Sequence, residues 1–517
     1  MMIKKRLYLI AVIAVIAVAL ACVYAFVLAP MLHDVSDEPP TLLEGEVLGP
    51  NNQIIMFEQI VRADLQEIEC HNEKGGFTFY YDEKTDDFLL KDYFNSPYSK
   101  ENFGILVTSA GYSLTQTRVT EHCEDFSEYG LADSDNPAYY IIKSKSGVQH
   151  KVYIGKMLVQ GNCYYARYDG RDAVYVIDTD TASYLLAGVA DYITPMIVLP
   201  ASQSDYFTVK DFMIAKDGKP FLEVTSKLKE SVDDKGNKTT ELENYEMIFP
   251  IGYSVSTKYD NVLQGFMDFQ GLQTLEVCRS WEKDANDPSK VTTEDFSDEI
   301  LEKYNLKTPK YEIFFEYKGI KNSFMLSEKT ENGTYYVYSL LYNHICEISE
   351  ETVDFLEWDL IEFVEKSLFQ YNITDVSSIK LKTKDFEETF LLYNLDTGKE
   401  TSAGTVIDIE VKRKSNGESI SDVTNFRNYF YILLTTQFIA EADVTSTEGL
   451  ENYATIELIT RQGKKIEYGF YPYATRRCLL TIDGKGEFYV LKSSVDKLIS
   501  DAKKVINGEQ VNRESAE

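Results

Sequence analysis

The chain has 517 residues, with 83 acidic and 52 basic side chains and a formal charge of −31. A surface this acidic repels nucleic-acid phosphates and anionic lipid heads, so no nucleic-acid partner is expected and the excess charge serves solubility. Seven cysteines are spread through the chain without a CxxC pair, which speaks against both a disulfide framework and a zinc site.

Taken in chain order, residues 1–6 form a basic tail with Lys4, Lys5 and Arg6, and Leu7–Ala29 carries no charged side chain. As a helix rising about 1.5 Å per residue that run reaches roughly 34 Å, enough to cross a bilayer core of about 30 Å. Pro30 ends the regular helix, and Asp34, Asp37, Glu38, Glu44 and Glu46 follow it. The basic-before, acidic-after asymmetry predicts a single-pass anchor, residues 7–29, in a cell membrane with a cytoplasmic N-terminus and an extracytoplasmic bulk. The rival readings are a cleaved signal peptide, whose apolar core is usually shorter, and lipid attachment at Cys22 in Ala19-Leu20-Ala21-Cys22. Residues 30–64 read as a linker and the start of the ectodomain.

The ectodomain reads as α+β: tandem repeated units of antiparallel sheet, each closed by a packing helix. A degenerate unit is expected over 65–124, with strands around Phe77–Tyr81 and Gly104–Thr108. The clear units are 125–225, 296–394 and 441–508, joined by strand-rich residues 226–295 and a strand/helix region 395–440, with a tail at 509–517. Their openings are DFSEYGLADSDNPAYYIIKSKSG, FSDEILEKYNLKTPKYEIFFEYKG and EADVTSTEGLENYATIELITRQG. Each begins with a short acidic helical turn near Phe126 or Phe296 and stops at Tyr129-Gly130-Leu131 or Tyr304-Asn305-Leu306, where Gly or Asn suits a left-handed residue.

Alternating apolar residues around a glycine turn then predict a hairpin in each unit: Ala138–Lys143 with Lys151–Ile154, Tyr311–Tyr317 with Asn322–Leu326, and Ala454–Ile459 with Ile466–Phe470. A second pair follows, turning at Asp169-Gly170 and Asp483-Gly484 in two of the units and at Leu341-Tyr342-Asn343 in the other. Helical spacing predicts closing helices over Thr181–Ile193, Glu351–Ser367 and Ser493–Ile506. Tyr206–Ile214 and Ile373–Leu381 read as extended runs bridging neighbouring units. Ser226–Glu241 is dense in charge and reads as an exposed turn or loop, and Tyr429–Ala440 as a buried element too short to span a membrane.

Tyr129-Gly130-Leu131 before Pro137, Ile154-Gly155 and Cys163-Tyr164-Tyr165 resemble the DUF4340 domain family. The resemblance extends over much of Asp125–Gly508, although Leu326-Ser327 and Phe470-Tyr471 lack the glycine that Gly155 supplies. It implies a membrane-anchored protein, an auxiliary extracytoplasmic partner of gliding-motility-type ABC transport systems, and brings no set of catalytic residues. No GxxxxGK[ST] occurs, so ATP hydrolysis would belong to a partner.

The residues that invite chemistry each have a plainer reading. His33, His71, His122, His150 and His344 are scattered. His122-Cys123-Glu124 places a base beside a thiol, but neighbours in sequence do not make a triad. Asp178 and Asp180, and Glu350, Glu351 and Asp354, open helices, where carboxylates cap free amides. Tyr164, Tyr165, Tyr335 and Tyr336 are offered as a binding face or as alternating core. Cys163, Cys346 and Cys478 recur at related positions and suit packing. No catalytic, cofactor or metal residue is assigned, and no enzyme is expected. The leading expectation is an extracytoplasmic scaffold or auxiliary subunit, touching lipid through residues 7–29 and an ABC permease or envelope proteins through its ectodomain. The alternative is a peptide- or glycan-binding module, which calls for a cleft holding several aromatic groups.

Overall fold

The computed structural model describes residues 40–112, 115, 117–159, 161–199, 209–232, 238–265, 269–282, 291–317, 319–401 and 404–514. The apolar leader 7–29, Cys22 and His33 lie outside them. Among the described residues no helix is long and apolar enough to cross a membrane.

Two compact units divide the chain: one runs to Phe94 and then over Tyr98–Ile193, and the other takes Asn95–Pro97 and Thr194–Glu517. The first opens with the small ribbon β1 (Val47–Leu48) and β2 (Ile54–Ile55). Its main sheet is built from β3 (Leu65–Asn72), β4 (Gly75–Asp82), β5 (Asp87–Leu90), β6 (Thr117–Thr120), β7 (Ala138–Ser144), β8 (Gln149–Met157), β9 (Cys163–Tyr168) and β10 (Val174–Asp178). The strand order is β5-β4-β3-β7-β8-β9-β10-β6, with every pair antiparallel. The segments 65–124 and 125–225 therefore contribute to one sheet, because β3 pairs with β7.

Gly104–Thr108, expected as strand, lies in helix α1 (Lys100–Gly111). Ser99 caps that helix by accepting a hydrogen bond from Asn102 N, and Phe103, Leu106, Val107 and Ala110 bury one face of it. That spacing is helical, and it prevails over the β-branched look of the segment. The first unit closes with α2 (Thr179–Leu185) and a 3-10 turn at Val189–Tyr192. The single helix expected over Thr181–Ile193 is broken at Ala187-Gly188.

The second unit holds two sheets. One comprises β11 (Lys210–Lys216), β12 (Lys219–Val232), β13 (Lys238–Phe249), β14 (Tyr253–Ser254), β15 (Gln273–Val277), β18 (Tyr311–Tyr317), β19 (Ile320–Leu326), β20 (Thr334–Ser339) and β21 (His344–Ser349), with the ribbon β16 (Ser280–Glu282) and β17 (Val291–Thr293) beside it in sequence. Its order is β14-β13-β12-β11-β18-β19-β20-β21-β15. The other comprises β22 (Val376–Thr383), β23 (Glu387–Thr401), β24 (Gly404–Arg413), β25 (Ala440–Glu441), β26 (Ala454–Thr460), β27 (Lys465–Ala474), β28 (Arg477–Ile482) and β29 (Lys485–Leu491), in the order β24-β23-β22-β26-β27-β28-β29-β25. Apart from the two-residue β14, the three large sheets follow one path. The first strand lies inside the sheet, the next two step outward, a helix carries the chain to the far edge, and a four-strand meander fills the gap. Those helices are α1, α3 (Lys258–Gly265) and α6 (Val423–Thr435).

Several expectations change in this unit. Ser226–Val232 and Lys238–Glu241, read as loop, extend the β12–β13 hairpin, where Lys229 pairs with Glu241 across the strands. β11 and β22 pair on both sides within their own sheets, so the residues 210–216 and 376–383 sit inside a sheet. The helix expected over Glu351–Ser367 is a 3-10 segment, Glu350–Glu357, kinked at Val353, followed by α5 (Leu360–Phe363). The helix expected over Ser493–Ile506 is continuous as α7 (Lys492–Asn507), ending at Gly508 with φ +69°. Between α3 and α5 the chain also forms α4 (Asp298–Lys303), which stops at Asn305, φ +55°, just as the turn before β7 stops at Gly130, φ +66°.

The core of the second unit is aromatic: Phe212, Tyr259, Tyr317, Phe324 and Tyr335 have almost no exposed surface, and Phe390, Phe426, Tyr429, Phe470 and Phe488 continue the cluster. Each such side chain stabilises by roughly 1.5–3 kcal/mol relative to exposure, which is why alternation in sequence sets the strand register. In the first unit, Tyr129-Gly130-Leu131 and Ile154-Gly155 touch. A Cβ on Gly155 would stand 2.3 Å from Tyr129 O and 2.8 Å from Leu131 Cγ, so the absent side chain lets the turn lie against β8.

Candidate functional site

One recess in the second unit is a cleft of about 590 Å³. Its floor begins at the β11–β12 hairpin. Asp217 and Gly218 both hold positive φ, +50° and +68°, the geometry of a tight two-residue turn. That turn sets Lys216 opposite Tyr311 of β18. Lys310 reaches back to bind both Asp217 oxygens, at 3.0 and 2.9 Å.

Glu357 ends the 3-10 segment that Ser349 caps. Its Oε1 accepts from the hydroxyls of Tyr311 at 3.0 Å and Tyr335 at 2.9 Å. These bonds, Tyr335's foremost, hold its carboxyl below the usual range although partial burial opposes them. Trp358 and Asp359 follow, and Trp358 packs against Phe363, 5.3 Å between ring centres. The next turn, α5, places Ile361 N against Glu441 Oε1 at 2.5 Å. Glu441 pairs with Phe488 across β25 and β29, which brings Glu487 beside it. Burial first, and the Glu441 charge second, push the Glu487 carboxyl up. Phe221, Phe249, Pro220 and Pro250 supply apolar wall.

The Lys216 ammonium lies 3.8 Å from the centre of the Phe221 ring. Burial pulls its pKa down against the pull of Glu357 and Asp359. Among the described residues no acceptor bonds its Nζ, and no donor bonds the Glu487 or Asp359 carboxylates. The cleft therefore combines aromatic surface, a cation seated on a ring and unsatisfied carboxylate oxygens. Such a recess has the form of a binding site.

The residues singled out from sequence distribute differently. Tyr335 reaches the cleft through its hydroxyl, while Tyr336, on the opposite face of β20, packs its ring against Tyr304 at 5.0 Å. Tyr165 meets Tyr129 at 4.9 Å. His122 is exposed, and no hydrogen bond joins it to Cys123 among the described residues; burial raises the Cys123 thiol, the reverse of an activated nucleophile. Asp178 caps α2 by accepting from Thr181 N at 2.7 Å, and Glu350 pairs with Lys329. His150 stacks on Phe57 at 4.1 Å and contacts Tyr168 OH. Cys163, Cys346 and Cys478 are buried free thiols, but Cys346 lies on the fourth meander strand and the other two on the third. Among the described residues no group of three or more His, Cys, Asp or Glu side chains is arranged to hold a metal ion.

Sequence reasoning missed Lys216, Glu357, Glu441 and Glu487, which come from four distant segments. The available signal was Trp358, one of two tryptophans in the chain, flanked by Glu357 and Asp359.

Residues 107–291 match the family model described as Domain of unknown function (DUF4340). The DUF4340 match contains Tyr129-Gly130-Leu131, Gly155 and Cys163-Tyr164-Tyr165. It runs from inside α1 to the start of β17, so it takes in strands of both the first sheet and the second. No curated protein and no solved structure matches the chain.

Proposed function

We propose that the protein is a membrane-anchored extracytoplasmic scaffold built from tandem DUF4340-like units, serving as an auxiliary subunit of an envelope assembly of the gliding-motility ABC transport type. The observation that carries the scaffold reading is the single strand path followed by three large sheets, which suits duplication of one module into an extended set of surfaces. The uncharged leader after Lys4, Lys5 and Arg6 supports the tether. The transporter element rests on the DUF4340 resemblance. Crosslinking in intact cells, followed by identification of the captured proteins, tests the whole. Enrichment of a permease supports it, and recovery of free monomer under conditions that preserve other membrane complexes overturns it.

A second reading, a peptide- or glycan-binding module, is favoured by the cleft itself, where Phe221, Phe249, Tyr311 and Trp358 gather around polar groups. Aromatic walls with a few placed polar groups are the usual form of a ligand site. Saturable binding by the full chain in detergent, abolished by Trp358→Ala, is the expected result.

A further inference from the structure

The cleft around Lys216 carries a charge imbalance that its own residues leave unresolved. Five carboxylates, Asp217, Glu357, Asp359, Glu441 and Glu487, face two lysines. Lys310 and Asp217 neutralise one another. Glu357 is satisfied by tyrosine hydroxyls, which supply hydrogen bonds but no positive charge. Glu441 receives one backbone amide. Within the lining Lys216 faces the remaining negative charge, with Lys329 also acting on Glu357 from outside it, and the Lys216 ammonium is turned onto the Phe221 ring.

Asp217, Glu357 and Asp359 are exposed, but Glu441 and Glu487 are half-buried side by side; a half-buried carboxylate pair is costly, and the cost falls when a cation enters. Burial, and after it the Glu441 charge, push the Glu487 carboxyl up. The walls provide what an organic cation needs besides charge: a phenyl ring at Phe249 and an indole at Trp358, whose ring Lys258 already approaches at 5.4 Å, with Pro220 and Pro250 for an apolar stem. A phosphate or carboxylate ligand would meet repulsion from four of these carboxylates even if it reached Lys216. A neutral sugar would stack on the indole and leave the charge excess untouched.

We propose that this cleft binds an organic cation, an ammonium or guanidinium on an apolar stem, of the kind a lysine or arginine side chain presents. The proposal rests on the binding-module reading and gives its ligand class. Lys216 then acts as the cleft's own placeholder, a cation that fills part of the site and is displaced or crowded when the ligand enters.

The sign of one substitution separates this from the opposite assignment. The full chain in detergent is titrated calorimetrically with Nα-acetyl-lysine amide, Nα-acetyl-arginine amide, neutral Nα-acetyl-norleucine amide, Nα-acetyl-glutamate amide and a neutral hexose oligosaccharide. The lysine or arginine probe is expected to bind at least tenfold more tightly than the others, and to weaken as salt rises. Glu487→Gln and Glu441→Gln should each weaken it about tenfold; the second keeps an amide oxygen for Ile361 N, so α5 stays in place. Lys216→Met should tighten it severalfold by removing a like charge. An unchanged thermal melt for each variant confirms that the cleft is intact. Putrescine and a pentapeptide with one central lysine, run in parallel, show whether a free amine or a peptide side chain is preferred; tighter binding of either supports the class. Preference for the glutamate, norleucine or sugar probe, or weaker cation binding in Lys216→Met, overturns the cation assignment while leaving a binding module. Failure of every probe overturns both.

Discussion

The imidazole of His344 donates its Nε2 proton to the carbonyl oxygen of Met196, 2.6 Å away. A carbonyl can only accept, so Nε2 carries the proton and Nδ1, buried without a partner among the described residues, does not. The ring is fully enclosed, and burial pulls its pKa from 6.5 to about 4. Above pH 6.5 it is neutral whether the chain is folded or unfolded, and its protonation makes no difference to stability. Between about 6.5 and about 4 the unfolded chain binds a proton that the folded chain refuses, so stability falls as pH falls, by roughly 3 kcal/mol in all. His344→Gln keeps a donor for Met196 O and does not titrate. Urea unfolding of the two proteins at pH 7.5, 5.5 and 4.5 should show the gap between them shifting in favour of the variant as acid is added.

Gly155 has no room for a methyl group beneath the Tyr129-Gly130-Leu131 turn. Backbone stands in the way, so the neighbour cannot simply rotate aside. Gly155→Ala should destabilise the first unit by about 1–3 kcal/mol. A thermal melt in which the first unit's transition moves down, with hydrogen exchange rising first at residues 126–132, is the expected result.

Glu46 is enclosed in the first unit, with its carboxylate bound by Arg118 at 2.5 Å, Tyr175 OH at 2.7 Å and Leu43 N at 2.7 Å. This arrangement fastens the segment after the leader to the edge strand β6. Arg118→Met strands a buried charge and should cost about 3–5 kcal/mol. Glu46→Gln introduced alongside removes that charge and should recover part of the loss. Limited proteolysis at residues 43–56 gives a local readout, with faster cleavage in the single variant than in the double.

Tyr335→Phe removes one of the two hydroxyls on Glu357. The carboxyl is held low mainly by that bond, so its pKa should rise in the variant, as an NMR titration of Glu357 would show. The linkage has the opposite pH direction to that of His344 in origin but the same in outcome. A depressed carboxyl contributes stability above its unfolded value near 4.5 and loses it as pH falls through the lower folded value. The variant should be less stable by about 1 kcal/mol at neutral pH and should converge with the parent in acid.

Local signals in the sequence were readable where one physical cause dominates. Gly130 and Asn305 adopt the left-handed conformation that a helix end asks of them, and Asp483-Gly484 turns a hairpin with φ +50° and +85°. The paired runs 138–154, 311–326 and 454–470 became hairpins because alternation of large apolar residues allows one register only. Gly104–Thr108 misled because a five-residue window hides the spacing of Phe103, Leu106, Val107 and Ala110. Ser226–Val232 and Lys238–Glu241 misled because charge was read as irregularity, although a charged run can also pair as a two-stranded ribbon. The cleft was hidden for a different reason. Lys216, Glu357, Glu441 and Glu487 become neighbours only through strand order, and no spacing along the chain encodes that.

The shared strand order also constrains how the chain is made. In each sheet the first strand synthesised, β3, β11 or β22, must pair with one that follows two outer strands, a helix and a far-edge strand: β7, β18 or β26. During translation those early strands leave the ribosome with one flank open for the time taken to make some 70 to 100 further residues, a matter of several seconds at typical rates. Non-local closure of this kind slows folding and exposes strand edges to wrong partners. A nascent chain arrested before β7, β18 or β26 should therefore be the form that a chaperone holds.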